Sequence, residues 1–394
     1  MDDRWESICI KELGDIVGGA TPSTSDASLW NGEIPWLTPK DLKDYRFRYI
    51  TQGERCITEA GYKSCATQLM PKGSVLFSSR APIGYVAIAE NEVCTNQGFK
   101  SIVPNNLDES LFIYYLLNYH IEGIRCIGSG TTFKEVSGKT FGNYRVFVPS
   151  SKDRRLAIAK ALGSFDDVIE TEILLCNRLI DLMLSYYDCI IEEAGTEGLS
   201  KKKLADCGEV VGGATPSKKR EDFYTSSGIA WITPKDLSTN NGLFISHGAI
   251  DITEEGYNSC SARMMPPGTV LFSSRAPIGY MAIAEGSICT NQGFKSIVPN
   301  DIYGTAFIYC LIRRNLDSIK SVASGTTFPE ISGKVMKQQS VNVPDSDRID
   351  EFRLLADPVL NEIRTLENEI DRLGRCRQLL LKSIFSGELD IDCL

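Results

Sequence analysis

The chain has 394 residues, with 42 Lys and Arg against 51 Asp and Glu and a formal net charge of −9. That length is enough for two or three domains with cores of their own, and the absence of an 18-residue apolar run excludes a membrane-spanning helix. A uniformly acidic surface would disfavour a nucleic-acid partner, so the placement of the charge matters more than its sum.

The first residues, Met1-Asp2-Asp3-Arg4-Trp5, are polar and do not resemble a signal peptide. The thirteen cysteines are scattered singly, as reduced thiols of a cytoplasmic protein would be. Residues 1–150 are rich in Gly, Pro, Ser and Thr. Short β-branched and aromatic runs at 74–77 and 85–89 predict strands, and 111–117 predicts a buried helix. Residues 151–193 lose this punctuation. Phe165, Ile169, Ile173, Cys176, Ile180, Met183, Tyr187 and Ile190 recur every three or four residues, which predicts one long helix with a coiled-coil seam. Gly195 and Gly198 mark its exit. A second mixed region fills 199–344, with a buried helix predicted at 306–312. A second seam follows, through Leu355, Val359, Ile363, Leu366, Ile370 and Leu373, and predicts a helix over 345–386.

The two halves repeat one another. Residues 77–85 return unchanged at 272–280 and 95–104 at 290–299, an offset of 195. Residues 129–133 return at 324–328, and 17–23 at 211–217, one residue out of step. Solenoid units run to about 20–50 residues, so this period is a duplicated domain. The expected architecture is α+β: two similar, mostly-β domains at 1–150 and 199–344, separated by long helices at 151–198 and 345–394. Each seam needs a partner, so the helices are expected to pair as an antiparallel coiled coil, relating the domains by a pseudo-two-fold axis. Residues 151–193 carry five basic and nine acidic side chains, and 345–392 seven and twelve. The helical segments therefore hold the whole net charge, so the repeated domains together sum to zero and are free to carry a basic face.

Catalytic signatures are missing. Gly138-Lys139-Thr140 resembles the end of a phosphate-binding loop, but Phe133 stands where that loop needs glycine, and the second copy reads Gly333-Lys334-Val335. His120 and His247, the only histidines, are not at equivalent positions and belong to no zinc motif. No Asn-Pro-Pro-Tyr or Asp-Pro-Pro-Tyr of amino-methylating DNA methyltransferases occurs. What the duplication keeps is a set of polar loops. In the first copy the candidate DNA-binding residues are Lys40, Arg46, Arg48, Ser79, Arg80, Asn96, Gln97, Lys100, Thr132 and Lys139. In the second they are Lys235, Ser274, Arg275, Asn291, Gln292, Lys295, Thr327 and Lys334. Arg and Lys suit phosphate or guanine, Asn and Gln suit adenine, and Ser and Thr suit either. Taken singly, each is more often a turn cap or half of an internal ion pair; taken as a set, their retention in both copies favours binding.

The runs Ser-Ser-Arg-Ala-Pro-Ile-Gly (78–84), Thr-Asn-Gln-Gly-Phe-Lys (95–100), Gly-Thr-Thr-Phe (130–133) with Ser-Gly-Lys after it, and Leu-Leu-Leu-Lys-Ser-Ile-Phe-Ser-Gly-Glu-Leu (379–389) resemble the specificity subunits of type I restriction–modification enzymes. The resemblance covers nearly the whole chain. It implies two target-recognition domains separated by two antiparallel helices, each domain reading one half of a split sequence in double-stranded DNA. It implies no catalysis and no cofactor in this chain. Two methyltransferase subunits would use S-adenosylmethionine, and restriction subunits ATP and Mg²⁺. Family members often carry two dissimilar recognition domains, whereas these are alike, so a near-palindromic target is expected. Two other readings stand beside this one. A methyltransferase or nuclease acting alone is disfavoured by the missing motifs, and a helical scaffold that never touches DNA is separable by salt-dependent DNA binding.

Overall fold

The structure is a computed structural model and describes residues 5–80, 82–130, 134–275, 277–324 and 329–389. It divides into two compact units, residues 1–171 with 370–394 and residues 172–369. Among the described residues no helix is long and apolar enough to cross a membrane.

The first unit is built on a five-stranded sheet in the order Gly14–Gly18, Lys100–Pro104, Val75–Ser79, Ile83–Ala89, Tyr49–Ile50. Its pairings are antiparallel except for the last, where Tyr49 lies beside Ile88 in parallel. Val75–Ser79 is buried along its whole length because both faces of the sheet are covered. Val75 and Phe77 point to one core with Phe112, Leu116 and Phe141, and Leu76 points to another with Val17, Ala87 and Phe99. A second sheet joins Arg55–Ile57, Trp30–Leu37 and Cys94–Thr95. The strand Trp5–Cys9 pairs antiparallel with Arg145–Pro149, so the domain closes just before the first long helix begins. The apolar run at 111–117 lies in the helix Ser110–Cys126, with Phe112, Leu116 and Leu117 fully buried.

The second unit repeats the plan, with strand order Gly208–Gly212, Lys295–Pro299, Val270–Phe272, Met281–Ala284, Phe244–Ile245. Here too only the last pairing, Phe244 beside Ile283, is parallel. The apolar run at 306–312 forms part of the helix Gly304–Arg314 and is wholly buried.

The two long helices are Lys152–Ala194 and Ser346–Phe385, of 43 and 40 residues, each about 60 Å at 1.5 Å per residue. In the first unit Ile158 and Leu162 share a core with Leu381 and Ile384, and Asp166 further along receives Arg377. In the second unit Tyr187 packs edge-on against Phe352, and Glu193 pairs with Arg348. Within each unit, then, the two helical segments run antiparallel. Ile169, Ile173, Cys176, Met183, Tyr187 and Ile190 are buried along the expected seam, as are Ile363, Leu366 and Ile370, whereas Phe165, Ile180 and Leu373 are half-buried. The start of the second seam differs from expectation. Ala356 and Leu360 are the buried residues there, and Leu355 and Val359 are half-buried. Those first turns also pack against the adjoining domain, where Phe307 meets Phe352 edge-on and Arg353 donates to the carbonyls of Asp301 and Ile302. That contact shifts the buried face by one residue.

Candidate nucleic-acid interface

Residues 95–100 form the centre of the candidate surface in the first unit. Asn96 Oδ1 accepts from the Gly98 amide at 2.8 Å, closing a side-chain-to-backbone turn. Phe99 anchors the loop in the core with no exposed surface. Pro39 lies so close that a Cβ on Gly98 would stand 2.8 Å from its Cγ, so only glycine fits. The Gly18-Gly19 turn approaches from the other side. Ala20 donates its amide to the Thr95 carbonyl at 3.0 Å, and the Thr21 hydroxyl donates to Gln97 Oε1 at 2.5 Å.

Two further segments complete the surface. The strand ending in Ser79 places Arg80 beside residues 134–136: Ser79 accepts from the Val136 amide at 3.0 Å, and Arg80 and Glu135 form a backbone bridge. Glu135 then lies between two cations, 3.7 Å from Arg80 Nη1 and 3.7 Å from Lys100 Nζ. The Ser137 hydroxyl caps the short helix Gly138–Gly142, which carries exposed Lys139. Lys100 lies along Gly138, where a Cβ would sit 3.6 Å from Lys100 Cδ. Asp41 closes a capping box on Thr38, with both bonds 2.7 Å, and so fixes the short turn that presents exposed Lys40, itself paired with Glu54 at 2.8 Å.

The second unit builds the same cradle from the second copy. Asn291 Oδ1 accepts from the Gly293 amide at 2.8 Å, and Pro234 crowds Gly293. Thr215 donates to Gln292. Glu330 receives Arg275 Nε at 2.9 Å and Lys295 Nζ at 3.7 Å. Lys235 and Lys334 are exposed on capped turns matching those of the first unit. Burial pushes the Lys295 ammonium below its ordinary range, Arg275 adds to that, and Glu330 opposes it.

The structure thus brings Lys40, Arg80, Asn96, Gln97, Lys100 and Lys139 into adjoining segments of one unit, and their counterparts into those of the other. It reassigns three candidates. Arg48 is buried: it binds Glu170 and Asp167 of the first long helix and the Gly163 carbonyl, so its charge is neutralised inside the fold. Ser79 and Ser274 are fully buried, and their hydroxyls donate to the Gly98 and Gly293 carbonyls. All three hold the framework rather than face a ligand. Arg46 is half-buried. Thr132 and Thr327 lie outside the described residues. Sequence reasoning missed Glu135, Glu330, Thr21 and Thr215, although each pair recurs between the copies: a carboxylate between two cations offers nothing to DNA by itself, and its place there is visible only in the fold. Among the described residues no cluster of three His, Cys, Asp or Glu side chains is placed to hold a metal ion.

Comparison with known proteins bears on this duplicated surface. The family model described as the type I restriction modification DNA specificity domain matches twice, over residues 2–175 and 196–351. The type I restriction enzyme MjaIX specificity subunit of Methanocaldococcus jannaschii is 30% identical over 420 residues, covering 98% of this chain and 94% of that protein. The EcoR124I/EcoR124II specificity subunit of Escherichia coli is 26% identical over 187 residues, covering 46% of this chain and 44% of that protein. The fold resembles the crystal structure of a type I restriction–modification system S subunit from M. genitalium, with a TM-score of 0.57, 16% identity, and coverage of 98% of this chain and 97% of the other.

Proposed function

Because this chain belongs to the type I restriction–modification specificity family, and so is a DNA sequence-specificity subunit with two recognition domains suited to a bipartite target, we propose that its two matching cradles are the DNA-reading surfaces. The observation that carries this is that each unit surrounds an Asx-turned loop with an arginine and a lysine gathered on one carboxylate. Such a surface offers guanidinium and ammonium groups to phosphate or guanine and Gln97 or Gln292 to a base edge. Lys40, Lys139, Lys235 and Lys334 stand on its exposed turns as phosphate contacts.

Catalysis belongs to the partners in this proposal. Two methyltransferase subunits would carry S-adenosylmethionine chemistry, and restriction subunits would carry ATP and Mg²⁺, all in the cytoplasm. The first long helix supports a docking role. Its inward face is buried, yet Leu174, Leu175 and Leu182 are 43–55% exposed on its outside, an apolar stripe that a helix of a partner subunit would cover.

The test is the pattern of methylated adenines in cells carrying the chain with its partner subunits. An Arg80→Ala change should relax one half of the recognised sequence and leave the other intact, and Arg275→Ala should do the reverse, each by about 1–3 kcal/mol if the arginine reads a guanine. Unchanged motifs in both variants would remove these arginines from the reading surface.

A further inference from the structure

Two stretches that differ at every position between the copies, 43–49 and 238–244, are held in the same way by different chemistry. In the first unit, Glu170 of the long helix Lys152–Ala194 accepts from the backbone amide of Arg48 at 2.6 Å. The same carboxylate accepts from Arg48 Nε at 3.1 Å and Nη2 at 3.0 Å. In the second unit, Glu367 of the long helix Ser346–Phe385 accepts from the amides of Leu243 at 2.5 Å and Phe244 at 2.9 Å. Arg48 and Leu243 are equivalent in the repeat, and in each copy the loop residue three before them lashes the loop again. The Tyr45 hydroxyl donates to the Tyr49 carbonyl, and Asn240 Nδ2 donates to the Phe244 carbonyl at 3.1 Å. Gly242 leaves room for the clamp, because a Cβ there would lie 2.7 Å from the Glu367 carboxylate.

The place of the clamp gives it a consequence. Each stretch leaves the candidate surface at Lys40 or Lys235 and ends on the edge strand of the five-stranded sheet, Tyr49–Ile50 or Phe244–Ile245. An edge strand presents unpaired amides, and here a helix carboxylate takes the Phe244 amide of one strand and the Arg48 amide just before the other. The loop between is therefore fixed at one end to the reading surface and at the other to the helix.

We propose that Glu170 and Glu367 are positioning residues that set each divergent loop against its long helix, so that base discrimination at each half-site depends on its own helix carboxylate. This rests on the two units reading DNA, as proposed above, and adds that the divergent loops beside the cradles reach bases. A carboxylate that only stabilised the fold would lower the melting temperature without changing which bases are preferred. A positioning carboxylate changes the preference at one half-site alone.

The test uses the subunit assembled with its methyltransferase partners and compares methylation of duplexes matched or singly mismatched in one half-site. In Glu367→Gln, which keeps one acceptor oxygen and the side-chain volume, the matched-to-mismatched ratio should fall about tenfold for one half-site and hold for the other, about the discrimination one base pair carries. Glu170→Gln should reverse the pattern, and Glu367→Ala should exceed Glu367→Gln. Should the alanine variant fail to assemble, the two glutamine variants decide. Ratios unchanged at both half-sites, or lowered equally at both, would overturn the proposal. A chimera carrying 43–49 in place of 238–244 separates the two ideas. If the chimera changes one half-site while Glu367→Gln changes neither, the clamp is wrong and the loops still read DNA. If the chimera changes nothing, the loops do not read bases and the clamp falls with them.

Discussion

Arg48 and Arg80 stand 32 positions apart in the sequence and do opposite things. Arg48 exposes 7% of its side chain and meets two carboxylates, whereas Arg80 keeps 35% exposed and meets one loosely, at 3.7 Å. Sequence distinguishes them only in part. Arg80 recurs in the second copy as Arg275, while Arg48 is replaced by Leu243, and that loss is the signal that its charge does a local job. Its partner Glu170 lies 122 residues away, beyond the reach of any spacing rule. His120 supplies a residue-scale prediction. Burial lowers its imidazole from the ordinary 6.5 to about 4, between Tyr119 and Tyr144. The unfolded chain therefore takes up the proton first as the pH falls. The stability this neutral histidine preserves is complete above 6.5, is lost as the pH drops towards 4, and does not fall further below that. The loss should reach about 3 kcal/mol at most. Melting temperatures of His120→Gln, followed over that window, should fall less steeply than those of the unchanged protein; equal slopes would mean the imidazole titrates normally.

At the scale of elements, the period of the apolar residues carried most of the information. The seams place the long helices because a stripe repeating every three or four residues must be covered, and a strand cannot present it. The strands at 75–79 and 83–89 followed from β-branched runs, but not their order in the sheet, since pairing partners such as Gly14 and Pro104 are set by long-range packing. The one-residue shift at Ala356 and Leu360 was hidden for a similar reason: a helix facing two neighbours buries a wider face than one seam describes. Ile363 is fully buried in the second helix, and Glu362 beside it is exposed. Ile363→Asp should destabilise the subunit by about 3 kcal/mol or more, through a carboxylate with no partner in the core. Glu362→Gln should stay within about 0.5 kcal/mol. Urea unfolding of the two variants makes the comparison, and a mild effect at Ile363 would mean that the helix face is not buried in solution.

For the whole molecule, the question is what a duplicated reader recognises. Two cradles made from the same residues, with the same turn, the same capped helix and the same carboxylate between two cations, are suited to similar half-sites. Related by the pseudo-two-fold axis expected from the sequence, similar readers would address opposite strands and see an inverted repeat, as two-fold symmetry in a protein maps onto palindromy in its site. The expected target is therefore a split sequence whose halves are related by inversion, imperfect where the copies part. One place where they part is 43–49 against 238–244: the first stretch holds Lys43, Arg46 and Arg48 and the second holds no cation. Arg48 is neutralised by the helix, so the difference this stretch offers a ligand lies in exposed Lys43 and the shapes of Tyr45 and Asn240. Exchanging the two stretches should therefore carry their share of the imperfection from one half-site to the other. Sequencing of methylated adenines reads the outcome. A motif with two unrelated halves would end the symmetry claim, and half-sites unchanged by the exchange would mean that these loops do not read bases.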